Sequence, residues 1–320
     1  MRVLVVGAGA TGGYFGGRLL QAGRDITFLV RARRAAELAS AGLVIKSPKG
    51  DVTLPSPATV LAEDIKHPFD LILLSCKAYD LDNAVASFAP GVGAETMILP
   101  LLNGMKHLDF LDARFGSAKV LGGLCAIAAT LDAQRTIVHL GAFHSLAFGE
   151  RDGGLSDRVR AVAEVTAGAG FDARASEQII QDMWEKWVML ATLASATCLM
   201  RTSVGDIVAA PGGEQLILAL LEECRATAEA GGYPPRAPFL TQTRATLTTP
   251  GSPFTASMLR DIEANGPIEA DHILGDLLRR RDAGRAQRSD ASVLQIAYTN
   301  LKSYEARRAR TIAAAATPGN

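Results

Sequence analysis

Apolar residues form short, uninterrupted runs in the first half of the chain, and glycine or polar residues bound each run. Such runs, separated by helix-like segments, are typical of strands in a parallel sheet whose two faces are covered. Helices are predicted at Ala10–Ala22 and Leu155–Ala169. The pattern indicates an α/β fold with a doubly wound parallel sheet. The predicted strands are Val3–Val6, Asp25–Val30, Leu71–Ser75, Thr96–Leu99, Val120–Leu124, Ala126–Thr130, Thr136–Leu140, Ser145–Phe148 and Phe171–Ala175.

The hydrophobic pattern changes after about Ser176. Strand-like runs nearly vanish, and long segments with helical periodicity take their place, separated by proline-rich segments. We therefore predict two domains, an α/β domain over residues 1–175 and an all-helical C-terminal domain over residues 176–320. The predicted helices of the second domain are Glu177–Met200, Gly213–Ala230, Ser257–Glu263, Ile268–Ala283 and Ser289–Ala315.

Charge, cysteine spacing and segment length exclude several classes of protein. Lys and Arg together number 33, and so do Asp and Glu, so the formal net charge is zero. A chain without excess positive charge has no overall field to attract nucleic acid, which argues against a nucleic-acid partner. The four cysteines form no C-x-x-C pair, which argues against a metal site and favours a cytoplasmic protein. The apolar stretch Trp187–Met200 is shorter than the roughly 20 residues that span a membrane. The apolar helical half fits a homodimer, and equally a helix face buried in its own core.

A glycine-rich turn follows the first predicted strand and opens the first predicted helix. Residues 7–12 (GAGATG) have the spacing G-x-G-x-x-G in the strand–turn–helix setting of a dinucleotide site. Here Gly7 makes the tight turn, Gly9 lets the backbone approach a pyrophosphate, and Gly12 lets helix and strand pack closely. The helix N-terminus offers its N–H groups to phosphate, so we expect a Rossmann-type domain. The cofactor-binding residues predicted in this turn are Gly7, Gly9, Ala10, Thr11 and Gly12.

The second predicted strand is followed by basic residues. Arg31 stands where an NAD site carries an acidic residue for the ribose 2′-hydroxyl. A guanidinium grips a 2′-phosphate with two charge-assisted hydrogen bonds, so Arg31 favours NADP(H) over NAD(H). Arg33 and Arg34 either contribute to this phosphate site or belong to a solvated loop.

Five further segments make the comparison with a family specific. They are 75–78 (SCKA), 100–105 (PLLNGM), 184–187 (WEKW), 257–261 (SMLRD) and 269–271 (EAD). In order and spacing, over nearly the whole chain, these segments resemble those of the ketopantoate reductases (2-dehydropantoate 2-reductases). The resemblance implies a Rossmann domain and an all-helical domain. It also implies that the protein reduces the 2-keto group of ketopantoate with NADPH, a step in pantothenate synthesis.

Lys77 and Asn103 each fall just after the carboxyl end of a predicted strand, where ligands of an open α/β sheet bind. Lys77 is either a charge beside the cofactor phosphate, its ribose or the substrate carboxylate, or a surface lysine. The resemblance implies that Asn103 binds the nicotinamide ribose and the substrate; a plain Asn-Gly turn with Gly104 is the alternative.

Lys186 is the strongest catalytic candidate. It lies between two tryptophans at the start of an apolar helical stretch, where desolvation lowers a lysine pKa toward the working pH. Such a lysine can protonate the keto oxygen and stabilise the developing alkoxide. The alternative is a lysine whose stem packs on tryptophan while its head stays in water. The resemblance further implies that Ser257 contacts the substrate carboxylate, and that Glu269 binds the substrate hydroxyl and orients Lys186.

The chain departs from the family pattern after Lys186. Ketopantoate reductases usually carry asparagine four residues beyond this lysine, often with another further along, whereas this chain has Leu190 and then Ala194. If both residues line the substrate site, apolar surface replaces hydrogen-bond donors. A related 2-keto acid with a larger or more apolar side chain is then an alternative substrate to ketopantoate.

Two other readings of the whole chain stay open. One is another two-domain dehydrogenase of the hydroxyacid or opine type, although those commonly use a histidine as proton donor. The other is a non-catalytic NADP(H)-binding sensor, which needs the glycines and Arg31 but has no need of Asn103, Lys186 and Glu269.

Overall fold

The structure, a computed structural model, describes residues 1–283 and 292–316. The chain divides into two compact units. The first comprises Met1–Leu102 and His107–Ile180; the second comprises Asn103–Lys106 and the described residues from Gln181 onward. The short segment that begins at Asn103 therefore groups with the helical part of the chain.

Ten strands in the first unit form two sheets. They are β1 (Arg2–Val6), β2 (Asp25–Leu29), β3 (Leu43–Lys46), β4 (Val52–Leu54), β5 (Thr59–Val60), β6 (Leu71–Leu74), β7 (Met97–Pro100), β8 (Gly122–Leu131), β9 (Ile137–Gly149) and β10 (Asp172–Ala175). The first sheet is parallel, in the order β5-β2-β1-β6-β7. Because the chain runs outward in both directions from β1, the carboxyl ends of β1 and β6 form the switch point where such sheets bind ligands.

The helices of the first unit connect these strands. The glycine-rich α1 packs against side chains of both sheets. A Cβ on Gly16 would lie 2.7 Å from the Phe28 ring of β2, and a Cβ on Gly17 would lie 2.8 Å from Ile45 of β3. Small residues on α1 therefore let the two sheets close on it. The helices are α1 (Ala10–Gln21), α2 (Ala32–Ala41), α3 (Leu81–Phe88), α4 (Lys106–Phe115) and α5 (Asp157–Thr166).

The second sheet corrects part of the strand prediction. Its order is β10-β9-β3-β4, with β8 paired to β9, and it mixes parallel with antiparallel pairs. The four short strands predicted between residues 120 and 148 are in fact two long antiparallel ones, β8 and β9. Residues 140–143 bulge out of β9, because Ile127 pairs with His144 whereas Ala129 pairs with His139. The pairing thus continues through glycine and polar positions that suggested strand ends.

In the described part of the second unit, every secondary-structure element is a helix or a helical turn. The helices are α6 (Ile179–Met200, which begins in the first unit), α7 (Val204–Ala209), α8 (Gly213–Ala230), α9 (Ala237–Leu247), α10 (Ser257–Glu263), α11 (Asp276–Asp282) and α12 (Val293–Ala316). A π-helical turn, Asp271–Gly275, precedes α11. No helix in the described part of the chain is long and apolar enough to cross a membrane.

Three helix predictions needed correction. The proline-rich segment contains α9, since Pro238 lies in its first turn, where proline is tolerated. The predicted helix Ile268–Ala283 begins as the π turn and becomes α-helical only from Asp276. The predicted last helix starts at Val293 in the described part, and residues 289–291 of that prediction lie outside the described residues.

Candidate active site

The glycine turn gives each of its three glycines a different environment. Gly7 has a φ of +89°, a backbone conformation that favours glycine. A Cβ on Gly12 would lie 2.1 Å from Ser75 Oγ and 2.5 Å from the Gly7 carbonyl oxygen, so this position packs the helix against the end of β6. A Cβ on Gly9 would meet nothing within 4 Å.

The open side of Gly9 is the space that a pyrophosphate needs. Gly9 is the N-cap of α1 and has extended backbone angles, so Ala10 and Thr11 begin the helix. The first N–H groups of a helix have no partner within the helix and concentrate its positive dipole end. The turn therefore fits the pyrophosphate of a dinucleotide, with Gly7 and Gly12 fixing its shape and Gly9 leaving room.

Basic residues follow β2, as the sequence predicts. Arg31 is the N-cap of α2, its side chain is 84% exposed, and its guanidinium lies 3.7 Å from the Asp80 carboxylate. Arg34 instead has a side chain only 11% exposed and binds Glu37 at 3.1 Å, as does the exposed Arg33. The hydrogen bond from Arg34 is the main cause that lowers the Glu37 pKa. Arg33 and Arg34 both bind Glu37, whereas the Arg31 guanidinium is exposed and does not.

Lys77 lies just after β6. It is half-buried and directly precedes the short 3₁₀ turn Ala78–Asp80, which leads into α3. Its position is at the carboxyl end of β6, beside the switch point where ligands of such sheets bind, and its role at the cofactor stays a prediction.

In the second unit, two of the predicted residues meet. The Lys186 ammonium donates a hydrogen bond to Asn103 Oδ1 at 3.0 Å. Both side chains are half-buried, and the residues lie 83 positions apart in the sequence. Lys186 thus reaches a specific polar partner, and its ammonium is held at the carbonyl oxygen of the Asn103 side-chain amide.

Buried charges fix the start of α6. Glu185 is 5% exposed and receives the Arg236 backbone N–H and Nε at 2.8 Å each. Arg236 also binds Asp182, one helical turn earlier. The hydrogen bonds with Glu185, opposed by burial and assisted by Asp182, raise the Arg236 pKa. These bonds anchor the helix face next to Lys186.

The tryptophans around Lys186 are structural. The Trp187 indole N–H donates to the Ile273 carbonyl oxygen at 2.9 Å, and Trp187 is 1% exposed. Trp184 stacks on the Tyr233 ring, and the Arg280 guanidinium lies over both indole rings. They hold the backbone of Lys186 and link it to the π turn.

Glu269 lies two residues before the π turn and is 7% exposed. Its carbonyl oxygen accepts the backbone N–H groups of His272 and Ile273. The next acid, Asp271, receives Tyr298 Oη at 2.6 Å and Lys302 Nζ at 2.9 Å from α12. Although burial opposes the effect, these bonds lower the Asp271 pKa. The segment that carries Glu269 is therefore tied to α12 through Asp271.

His272 is a site residue that the sequence analysis missed. It is 6% exposed, and its ring hydrogen-bonds to the backbone of Asn103. Burial is the main cause that lowers its pKa. The only signal in the sequence was its position three residues after Glu269, about one helical turn on.

The other predicted substrate residues are placed on their helices as follows. Leu190 and Ala194 lie four and eight positions beyond Lys186 on α6, on the same helix face; Leu190 is half-buried and Ala194 is 3% exposed. Ser257 is the exposed first residue of α10, whose N-cap is Ala256. Their roles at the substrate remain predictions.

Two histidines outside these groups have structural partners. His144 Nδ1 lies 2.7 Å from the Tyr14 hydroxyl, and burial is the main cause that lowers the His144 pKa. His139 stacks on the His144 ring and bonds Ser47 Oγ at 2.9 Å. Both contacts tie β9 to neighbouring elements of the first unit.

Comparison with known proteins identifies the family. Two family profiles match: Ketopantoate reductase PanE/ApbA over residues 3–153, and Ketopantoate reductase PanE/ApbA C terminal over residues 178–305. The chain is 37% identical to the uncharacterized oxidoreductase YkpB of Bacillus subtilis (strain 168), over 96% of this chain and 100% of that protein.

Solved structures share the fold. The 2-dehydropantoate 2-reductase of Methylococcus capsulatus superposes with a TM-score of 0.85 at 29% identity, covering 96% of this chain and 98% of that one. D-mandelate dehydrogenase with NADH and anilino(oxo)acetate superposes with a TM-score of 0.85 over 97% and 99% of the two chains, and at 18% identity it shows the fold alone. Together with the matching profiles, these similarities show that the chain is an oxidoreductase of the ketopantoate reductase family.

Proposed function

We propose that this protein reduces a 2-keto acid to a 2-hydroxy acid with NADPH, and that 2-dehydropantoate, the precursor of pantoate in pantothenate synthesis, or a related acid is the substrate. The first unit is then the NADP(H)-binding domain, and the second is the substrate and catalytic domain. All four cysteines lie in the described part of the chain and none forms a disulfide bond there, which fits a reducing, cytoplasmic setting.

The Asn103–Lys186 hydrogen bond carries this proposal. A 2-keto reduction places negative charge on the keto oxygen as the carbon is reduced, and a positioned ammonium stabilises that charge and can give the oxygen its proton. Lys186 is such an ammonium, held at 3.0 Å from Asn103 Oδ1. A protein that only senses NADP(H) has no need of this pair.

The remaining residues take the roles that the family resemblance implies. NADPH, when bound, supplies a hydride to the keto carbon and leaves as NADP⁺. Lys186 supplies the proton to the keto oxygen, which completes the hydroxyl. Glu269, in the segment whose His272 bonds Asn103, binds the substrate hydroxyl and orients Lys186, and Ser257 binds the carboxylate.

The cofactor preference rests on Arg31. An arginine rather than an acidic residue follows β2, and its accessible guanidinium suits a 2′-phosphate, although the Asp80 carboxylate lies 3.7 Å from it. Lys77, at the end of β6, adds positive charge near the cofactor, and Asn103 binds the nicotinamide ribose. These features support NADPH over NADH.

A bulkier or more apolar 2-keto acid is the second candidate substrate. One observation favours it: Leu190 is half-buried and apolar on the face of α6 that carries Lys186. A pocket that presents aliphatic carbon to a polar substrate leaves groups of that substrate unpaired, at a cost of about 1–3 kcal/mol each.

The test is absorbance of NADPH during incubation of the purified protein with a panel of 2-keto acids, including 2-dehydropantoate and apolar analogues. We expect substrate-dependent oxidation of NADPH, with NADH as the control cofactor. Tight NADPH binding without turnover of any acid would favour the sensor. Turnover that survives Lys186→Ala would favour a dehydrogenase with another proton donor.

A further inference from the structure

His272 joins the elements that carry Asn103, Lys186 and Glu269. Its backbone N–H donates to the Glu269 carbonyl oxygen at 3.2 Å. Its ring hydrogen-bonds to the backbone of Asn103, and this bond favours the protonated ring, as a ring N–H donating to a carbonyl oxygen does. Buried polar groups are seldom left without partners, so this bond also satisfies a carbonyl that is otherwise costly to bury.

The turn after Asn103 packs directly on His272. Gly104 has a φ of +77°, and a Cβ there would lie 3.0 Å from the His272 carbonyl oxygen and 3.2 Å from its Cδ2. The Asn-Gly turn therefore rests on both the backbone and the ring of His272. A displaced ring would displace the turn and the Asn103 side chain with it.

The neighbours of His272 are fastened to fixed helices. Trp187, next to Lys186, donates to the carbonyl of Ile273, next to His272, at 2.9 Å. On the other side, Tyr298 and Lys302 of α12 hold Asp271. His272 thus lies in a π turn that hydrogen bonds from α6 and α12 hold in place. Such π turns occur often at functional sites.

We propose that His272 is a positioning residue: its ring N–H, donated to the Asn103 carbonyl oxygen, holds the Asn103 amide at the Lys186 ammonium. The inference rests on the proposed reductase function. Burial lowers the His272 pKa and so favours the neutral ring, which has one N–H to donate. His272 touches no reacting atom in this scheme and acts through Asn103.

The experiment compares His272→Phe, which keeps a ring but removes the donor, with His272→Gln, whose amide N–H can reach a carbonyl. Tyr304→Phe is the matched control, because Tyr304 Oη donates to the Gly266 carbonyl oxygen at 2.7 Å, close before Glu269, without touching Asn103. We measure kcat per NADPH-binding site. Titration with NADPH gives the number of folded binding sites, by which the rate is divided. A small misplacement at a catalytic pair can cost about 10²-fold.

We expect His272→Phe to lower kcat per site by about 10–100-fold, with NADPH affinity nearly unchanged. His272→Gln should recover most of the loss, and Tyr304→Phe should stay near the wild-type value. Equal kcat per site in wild type and His272→Phe would overturn the proposal, as would a His272→Gln variant no better than His272→Phe. If His272→Phe does not fold, His272→Gln and its recovery relative to His272→Ala decide the outcome.

A crystal structure of each variant separates this proposal from the proposed function. In His272→Phe the Asn103 Oδ1–Lys186 Nζ distance should leave hydrogen-bond range, and in Tyr304→Phe it should stay at about 3 Å. If the wild type reduces no 2-keto acid, the proposed function fails, yet this distance still decides the role of His272. An intact pair in His272→Phe would overturn it.

Discussion

The glycine-rich turn of the first unit and the Asn103–Lys186 pair of the second are built in different ways. The turn is contiguous, and backbone geometry sets its function: Gly7 needs its φ of +89°, Gly12 needs its missing Cβ, and Gly9 leaves open space. The pair joins residues 83 positions apart, and only tertiary packing brings them together.

This difference determines how each region can fail. The turn fails by steric occlusion, because its ligand-facing groups are backbone N–H groups that any residue possesses. The pair fails chemically, because its ammonium and amide belong to particular side chains. The bonds that place the helix carrying Lys186 are specific: Arg236 donates to Glu185, and the buried Trp187 indole donates to the Ile273 carbonyl oxygen.

The largest expected effect is in the turn. Gly9→Val should abolish NADPH binding while the fold stays intact, because Gly9 has extended backbone angles and its added side chain meets only the open space for pyrophosphate. Fluorescence titration with NADPH and urea unfolding measure the two quantities. Normal NADPH affinity in Gly9→Val would show that the turn is only structural.

Gly12→Ala is the matched contrast. Its Cβ would meet Ser75 Oγ and the Gly7 carbonyl oxygen, so we expect a loss of stability of about 1–3 kcal/mol, typical of overpacking. The two variants therefore separate binding from folding within one turn. Equal loss of stability in both would contradict the separate roles given to these glycines.

In the second unit, Lys186→Ala should lower kcat by about 10²–10⁴-fold, the range for a positioned proton donor. NADPH affinity should change little, since the lysine lies on α6 of the second unit. Lys186→Gln should not restore activity, because glutamine can donate a hydrogen bond but has neither the charge nor the acidic proton. An unaltered kcat in a well-folded variant would refute the assignment.

Local signals in the sequence predicted the parallel sheet and the first helix of the first unit. The parallel sheet and α1 followed from apolar runs and glycine spacing, because each of these is a short-range property. The β8–β9 pair was missed because a bulge at residues 140–143 lets two strands pair across positions that suggest a break. A solvated loop was one interpretation of Arg33 and Arg34, but both lie in α2, which begins directly after Arg31.

The second region could be predicted only through the family resemblance. Lys186 alone is compatible with a solvated lysine, and Asn103 alone with an ordinary Asn-Gly turn. His272 was missed because nothing local marks it; its role arises from a ring that reaches the Asn103 backbone and a turn that packs on it. Side-chain sites assembled from distant segments require the tertiary structure.

The preference for NADPH over NADH tests the first unit through a side chain rather than through its backbone, because we assign that preference to Arg31. Arg31→Ala should weaken NADPH binding by about 10–100-fold, as expected for lost hydrogen bonds to a charged group, and NADH binding much less. Arg33→Ala, an equally exposed neighbour bound to Glu37, is the control and should leave the preference intact. Equal loss of both cofactors in Arg31→Ala would remove its role at the 2′-phosphate.

The smallest expected effect concerns substrate choice in the second region. If Leu190 lines the substrate pocket, Leu190→Asn should raise kcat/KM for 2-dehydropantoate by about 2–10-fold, the net value of one regained hydrogen bond. It should lower kcat/KM for an apolar 2-keto acid, because the amide then faces aliphatic carbon without a partner. Leu199→Asn makes the same substitution at a half-buried position of α6 that lies 13 residues beyond Lys186 and on another side of the helix, so it controls for a general effect of asparagine. Efficient turnover of 2-dehydropantoate by the unmodified protein, with no better acid in the panel, would contradict the apolar pocket and leave ketopantoate as the substrate.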